Sequence, residues 1–311
     1  MPIDAAEALA APARTGEISW SHQDVQLYHL GIGAGIPATD PGELRYTLES
    51  VLRVLPSFAT TAGTGPPGVI GALSMPGVDV DLARVLHGGQ SLTLYRPLPA
   101  ECAAAVTTSR IAAVHDKGGA AVLVMRTDVA DADGPLWTDE ARIHLRGEGG
   151  WGGDRGPSVR REAPAGPPDR TVERPVREDQ ALLYRLSGDW NLLHADPGFA
   201  RLAGFERPIL HGLCTYGMTL KAVVDTLFGG DVTRVRGYTA RFAGVVYPGE
   251  TLRIRMWHDG GGDEGDEGDG GDGGNGGGEG DGRGGGEVRV VVSVVERGDA
   301  PALAGTVVTH S

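Results

Sequence analysis

Cysteine is almost missing from this chain: among 311 residues only Cys102 and Cys214 carry a thiol. Two thiols cannot build a disulfide framework or a cysteine-ligated metal cluster, so a reducing, cytoplasmic setting is expected. Lysine is equally scarce, with Lys117 and Lys221 the only two. Together with a formal net charge of −13, this excludes the basic surface of a general nucleic-acid binder. No apolar run approaches the ~20 residues of a membrane-spanning helix, so no membrane partner is expected either. The opening Met1-Pro-Ile-Asp-Ala-Ala-Glu7 lacks the basic-then-apolar order of a signal peptide. The closing Thr309-His-Ser311 is not an address of the Ser-Lys-Leu type.

What the chain does contain is enough apolar residue, 40%, for real cores, and a length that suits two moderate domains. Its acidity is concentrated. Residues 259–286 hold nine acids against one arginine, a local −8 that leaves only −5 elsewhere. That Gly/Asp/Glu tract lacks the periodic apolar residue a calcium-binding coil must bury. It reads instead as a self-repelling loop between two strands.

Periodicity orders the remainder. Residues 24–35 have helical spacing followed by alternating glycines. The pattern ahead of the glycines is helical, so a dinucleotide-binding turn, which needs a strand there, is not expected. Alternating and β-branched runs at 91–95, 105–114, 121–129 and 141–145, joined by Asp116-Lys-Gly-Gly119 and Asp131-Ala-Asp-Gly134, predict antiparallel strands. The Gly- and Pro-rich stretch 147–177 reads as a linker. Asp196-Pro197 is a helix start, and residues 213–227 form an apolar helix pattern stopped by Gly229-Gly230. Strands are expected again at 237–246, 251–257, 287–295 and 303–309. Leu98-Pro-Ala-Glu101 and Tyr247-Pro-Gly-Glu250 echo one another at an offset of 149 residues. With the shared strand order, this reads as a duplicated domain.

Chemistry concentrates in Tyr184-Arg-Leu-Ser-Gly-Asp-Trp-Asn-Leu-Leu-His194. An Asp and a His that share one water can remove one proton and return another. A helix start close by, at His211-Gly212, can offer unpaired N–H groups to a developing oxyanion. A bare Asp-x-Asn is more often an Asx-turn, and a single His usually does nothing catalytic.

Those residues, with Pro208-Ile-Leu-His-Gly-Leu-Cys214 and Arg241-Phe-Ala-Gly-Val-Val-Tyr-Pro-Gly-Glu250, resemble the MaoC-like (R)-specific enoyl-CoA hydratases. Leu86-His-Gly-Gly-Gln-Ser-Leu92, Asp116-Lys-Gly118 and Gly149–Arg155 extend the resemblance into the first half and the linker, as in the two-domain hydratase unit of peroxisomal multifunctional enzymes. The resemblance implies an α+β fold of two hot-dog domains, each an antiparallel sheet wrapped around a central helix. The first, 1–146, would be catalytically degenerate and bind the acyl-CoA. The second, 178–311, would be catalytic, with the acidic loop 259–286 inserted.

By the same resemblance Asp189 and His194 are the acid/base pair, Asn191 completes the site, and the Gly212 N–H receives the thioester oxygen. His87, Gly88, Lys117, Trp190 and Phe242 fall on substrate-binding positions. Taken alone, Lys117 reads equally as a turn lysine and Phe242 as core. Leu192 stands where the family has Pro, which could loosen the loop without removing either acid/base group. The degenerate counterpart of the active segment is expected at 44–59, and its loss would leave room for bulky acyl chains. The implied activity is reversible hydration of a trans-2-enoyl-CoA to the (3R)-3-hydroxyacyl-CoA, with no metal or other cofactor. A homodimer is compatible with this reading. The other classes are an acyl-CoA thioesterase on the same fold and a non-catalytic acyl-CoA binding subunit.

Overall fold

The computed structural model describes residues 3–62, 75–80, 84–157, 164–259 and 285–311. Ten strands, β1 (Arg14–Trp20), β2 (Val85–Leu94), β3 (Cys102–Asp116), β4 (Ala120–Asp131), β5 (Gly134–Arg146), β6 (Arg170–Pro175), β7 (Val235–Phe242), β8 (Thr251–Asp259), β9 (Gly286–Val294) and β10 (Ala300–His310), form one sheet. Its order is β1-β3-β4-β5-β2-β7-β10-β9-β8-β6, and every pair of neighbours is antiparallel. Each half therefore repeats one topology, with β1 to β5 matching β6 to β10 in turn. The halves meet edge to edge, where β2 pairs β7 from Gly89↔Arg241 to Thr93↔Gly237.

One expectation shifts, and the stretch at the chain start gains structure. The stretch read as linker contains β6, which pairs β8 from Arg170↔Met256 to Pro175↔Thr251. It is an edge strand with Pro at its end, where a missing N–H costs little. The Ala-rich start is ordered from residue 3 on, with helix α1 (Ala5–Ala10) capped by Asp4 and then β1. Residues 260–284, and with them nearly all of the acidic tract, lie outside the described residues. The strands it joins, β8 and β9, are paired neighbours out to Asp259↔Glu287.

The curved sheet covers helices. In the second half the long helix is α7 (Gly212–Leu227), buried without interruption from Cys214 to Val224. Such a helix is apolar nearly all round because it is enclosed on all sides. In the first half α2 (His22–Gly31), with a Ser21/Asp24 capping box, and the short α3 (Pro41–Leu44) and α4 (Ala59–Ala62) take this place. The interior there is filled by Trp20, Tyr28, Phe58 and Trp137, with ring centroids 5.6–6.0 Å apart.

Two contacts tie α7 to the first half. Lys221, almost fully buried, bonds Glu43 at 2.7 Å and Asp225 at 2.8 Å, while the Tyr46 hydroxyl donates to Asp225 at 2.7 Å. At Gly217 a Cβ would stand 2.6 Å from the Tyr28 hydroxyl, so only glycine lets α2 approach this closely.

Candidate active site

After β6 the chain enters α5 (Gln180–Tyr184) and a 3-10 turn, Arg185–Ser187, that ends at Gly188 with φ +117°. This left-handed residue, which favours glycine, turns the chain so that Asp189 follows directly. The Asp189 carboxylate accepts the Asn191 N–H at 3.2 Å, and the Asn191 side chain accepts the Leu193 N–H at 3.0 Å. These are consecutive Asx-turns that start the 3-10 turn Leu192–His194. The bland reading of Asp-x-Asn is thus correct as geometry, and the same bend delivers Asp189 and His194 to one place. Leu192 is the first residue of this 3-10 turn.

His194 Nδ1 lies 2.8 Å from the Ile209 carbonyl. A carbonyl only accepts, so Nδ1 carries the proton and Nε2 presents its lone pair. Burial lowers the His194 pKa, against the opposing pull of the Asp189 carboxylate, so the ring is held toward its neutral form. Stacked on it, with centroids 3.7 Å apart, is His211, the residue before α7 begins. His211 is also buried, and burial first and His194 second push its pKa well down. Gly212 is the first residue of α7 and no side chain caps this end. Its N–H has no acceptor within the helix.

The Phe242 ring lies against Gly212, 3.2 Å from where a Cβ would be. It also meets His87 edge to face at 4.8 Å. Phe242 thus touches both the α7 start and the first half of the chain. His87 Nε2 contacts the Gly89 carbonyl at 3.1 Å and Gln90 Oε1 at 2.9 Å. Both are acceptors, so Nε2 is the donor and Nδ1 is free to accept. Burial pushes the His87 pKa down to about 4, opposed by these bonds and by the Asp189 carboxylate. Gln90 in turn donates to Asp139, whose carboxyl burial pushes up to about 8.

Gly88 has a packing reason of its own. It sits where the β2–β5 register slips between His87 and Gly89, and a Cβ there would lie 2.0 Å from the His144 ring. Lys117 and Arg241 are close enough to oppose a charge on His144. Lys117 nevertheless spends its ammonium on the Arg155 and Pro157 carbonyls. Asp116 beside it collects the N–H groups of Gly118, Gly150, Gly152 and Gly153, which hold its pKa down at about 2. This corner therefore anchors the segment leaving β5. Trp190 is exposed on the rim, with the Arg185 guanidinium 4.9 Å over its ring.

The structure thus brings Asp189, Asn191, His194, Gly212, Phe242 and His87 together. Trp190 borders them, Gly88 supports them from behind, and Lys117 lies further along the β3–β4 turn. Sequence reasoning quoted His211 and Gln90 without giving either a role. The available signal was position: one precedes Gly212 and the other follows His87 by three. Asp189, His194 and His211 each bring a donor atom within 4.8 Å of the others, a metal-like spacing. A carboxylate and an imidazole held this close are also placed for proton transfer, with His194 Nδ1 fixed on the Ile209 carbonyl.

The chain is similar to known proteins over most of its length. Residues 18–147 match the MFE-2 hydratase 2 N-terminal domain, and residues 160–275 match the MaoC like domain. The chain is similar to the enoyl-CoA hydratase ChsH3 of Mycobacterium tuberculosis, 50% identical over 84% of this chain and 91% of that one. It is similar also to the peroxisomal enoyl-CoA hydratase 2 of Arabidopsis thaliana, 39% identical over 78% of this chain and 83% of that one. Among solved structures, a MaoC-like dehydratase from Phytophthora capsici superposes with a TM-score of 0.83 at 27% identity, covering 99% of this chain and 98% of that one. With both halves of the sheet accounted for in this way, the chain belongs to the enoyl-CoA hydratase 2 family of MaoC-like dehydratases, built as a double hot dog.

Proposed function

We propose that this protein is an (R)-specific enoyl-CoA hydratase, a hydro-lyase that adds water reversibly to a trans-2-enoyl-CoA. The observation that carries this reading is the meeting of Asp189, the free Nε2 of His194 and the start of α7. In the forward direction the Asp189/His194 pair takes one proton from water as the oxygen bonds to the β-carbon. Negative charge moves to the thioester oxygen, where the Gly212 N–H at the positive end of α7 stabilises it. The α-carbon then receives a proton from the pair on the same face. The enzyme ends in its starting protonation state, and the product is the (3R)-3-hydroxyacyl-CoA.

The division of labour follows the two halves. Residues 178–311 supply the acid/base pair and the oxyanion donor. Residues 1–146 supply His87, whose Nδ1 is free to accept a hydrogen bond from the substrate. Phe242 and Trp190 flank the acyl-CoA path, and Lys117 exchanges the linker carbonyls for a CoA phosphate when substrate binds. A homodimer is supported by large exposed apolar side chains within 182–202, among them Leu182, Leu186, Phe199 and Leu202. A reducing, cytoplasmic setting is supported by the free, buried Cys102 and Cys214.

The test is loss of the conjugated enoyl absorbance on adding purified protein, with the product then offered to (3R)- and (3S)-specific 3-hydroxyacyl-CoA dehydrogenases. Consumption by the first alone is the expected result. Release of free CoA thiol without formation of a 3-hydroxyacyl-CoA would mark a thioesterase instead. Binding without turnover would mark a non-catalytic subunit.

A further inference from the structure

His211 is buried to 1% exposure, yet packing does not explain it. Its Nε2 lies 3.3 Å from the Asp189 backbone carbonyl, so Nε2 carries the proton and Nδ1 holds the lone pair. That Nδ1 is buried and has no hydrogen-bond partner. An unpaired buried acceptor costs stability, and a leucine or phenylalanine would avoid the cost. The ring is also enclosed between two others, His194 at 3.7 Å and Tyr184 at 4.9 Å. Its backbone carbonyl, meanwhile, accepts the N–H groups of Cys214 and Thr215 and so starts α7. One residue thus touches the Asp189 turn, the His194 ring and the helix that carries Gly212.

Resting on the hydratase reading above, we infer that His211 is a positioning residue that registers the Asp189/His194 pair against the Gly212 amide. It does so with two features that no other side chain combines here. A flat face fixes the plane of His194, whose other ring tether among the described residues is the Ile209 carbonyl. A ring N–H fixes the Asp189 turn from below. The ring must stay uncharged, because a cation stacked on His194 would oppose the proton that His194 has to take up. The groups facing it are Asp189, His194, Tyr184 and the Arg185 guanidinium, and burial together with His194 and Arg185 keeps it neutral against the pull of the Asp189 carbonyl. A lost tether of this kind leaves the substrate bound but misplaced, and misplacement by about 1 Å can cost ~100-fold in rate.

The experiment compares His211→Ala, His211→Phe and His211→Asn in the full chain, using crotonyl-CoA hydration and thermal melting. We expect His211→Ala to lower kcat ~100-fold with KM changed less than ~3-fold. Phe restores the flat face and Asn restores a donor, so each should recover part of kcat, to within ~10-fold of the parent. A purely structural role predicts another pattern: kcat falling in step with the folded fraction and no recovery by either partial mimic. That pattern, or an alanine variant with kcat within ~3-fold of the parent, overturns the inference. A second readout does not depend on activity or on any variant folding. Nitrogen-15 spectra of the histidine-labelled parent should show His211 neutral with its proton on Nε2 and His194 neutral with its proton on Nδ1 at pH 7. A charged His211, or the opposite tautomer, also overturns it. A parent protein that hydrates no enoyl-CoA defeats the hydratase reading, and the spectra then decide the placement of His211 by themselves.

Discussion

Two segments of this protein occupy the same place in the repeated topology and do different things. After β1 comes Tyr28-His-Leu-Gly-Ile-Gly-Ala-Gly35; after β6 comes Tyr184-Arg-Leu-Ser-Gly-Asp-Trp-Asn191. Tyr28 and Tyr184 are 156 residues apart, as are the first residues of β1 and β6, and their rings face each other at 6.0 Å. The degenerate counterpart of the active segment is therefore 28–35, and not 44–59 as expected from sequence. In the second half the bend after the helix presents an acid and leads to an imidazole with a free lone pair. In the first half the bend is glycine, and the histidine beside it is used up. His29 Nδ1 donates to the Tyr46 carbonyl at 2.7 Å, and its Nε2 accepts the Leu55 N–H at 3.1 Å. The lesson is that a shared scaffold does not carry the chemistry; unspent hydrogen-bonding capacity at one bend does.

The comparison can be broken most directly at the acid/base pair. Asp189→Asn or His194→Ala should lose at least ~100-fold in hydration rate, the low end for general acid/base groups, while the melting temperature stays near the parent's. Near-parental turnover in both would end the distinction between the halves.

Lys221→Ala breaks an ion pair that holds α7 to the first half and removes the cation that Glu43 and Asp225 share. It should cost ~3–5 kcal/mol by urea unfolding, as other broken buried ion pairs do.

His29 should matter for stability and not for turnover. Its pKa is lowered from 6.5 to about 4 by burial, so the unfolded chain binds a proton that the folded chain refuses between these values. Stability from this residue is then complete above pH 6.5, is lost as pH falls toward 4, and levels off below, a span worth ~3 kcal/mol. Urea midpoints across that range should flatten in His29→Gln by comparison with the parent.

The smallest effect is expected at the bend itself. Leu192 is the first residue of its 3-10 turn, where a proline is tolerated, so Leu192→Pro should raise stability by ~0.4–1 kcal/mol and leave kcat within ~2-fold. A loss of folding would show that the two bends differ in backbone shape as well as in side chains.

Much of the fold was legible from periodicity. Eight of the ten strands, the Asp196 cap of α6 (Pro197–Leu202) and the α7 helix ending at Gly229-Gly230 appear where alternation, caps and glycines place them; β1 and β6 do not. β6 was hidden because six edge residues among prolines and charges carry no apolar alternation to read. Lys117 illustrates the limit at the site, since a Lys-Gly turn looks alike whether its ammonium meets a phosphate or, as here, two backbone carbonyls.

By itself, the amino-acid order determined the local shapes: a bend at Gly188-Asp-Trp-Asn191, a helix opening at Gly212, and two copies of one strand sequence. Those depend on dihedral preference and on hydrogen bonds between near neighbours. Only the tertiary structure decided which nitrogen of each histidine is free, that His211 lies flat on His194, and that His87 reaches the same place across the β2–β7 seam. Each of these is set by a partner far away in the chain, and a proton's position on an imidazole follows from the acceptor it finds there.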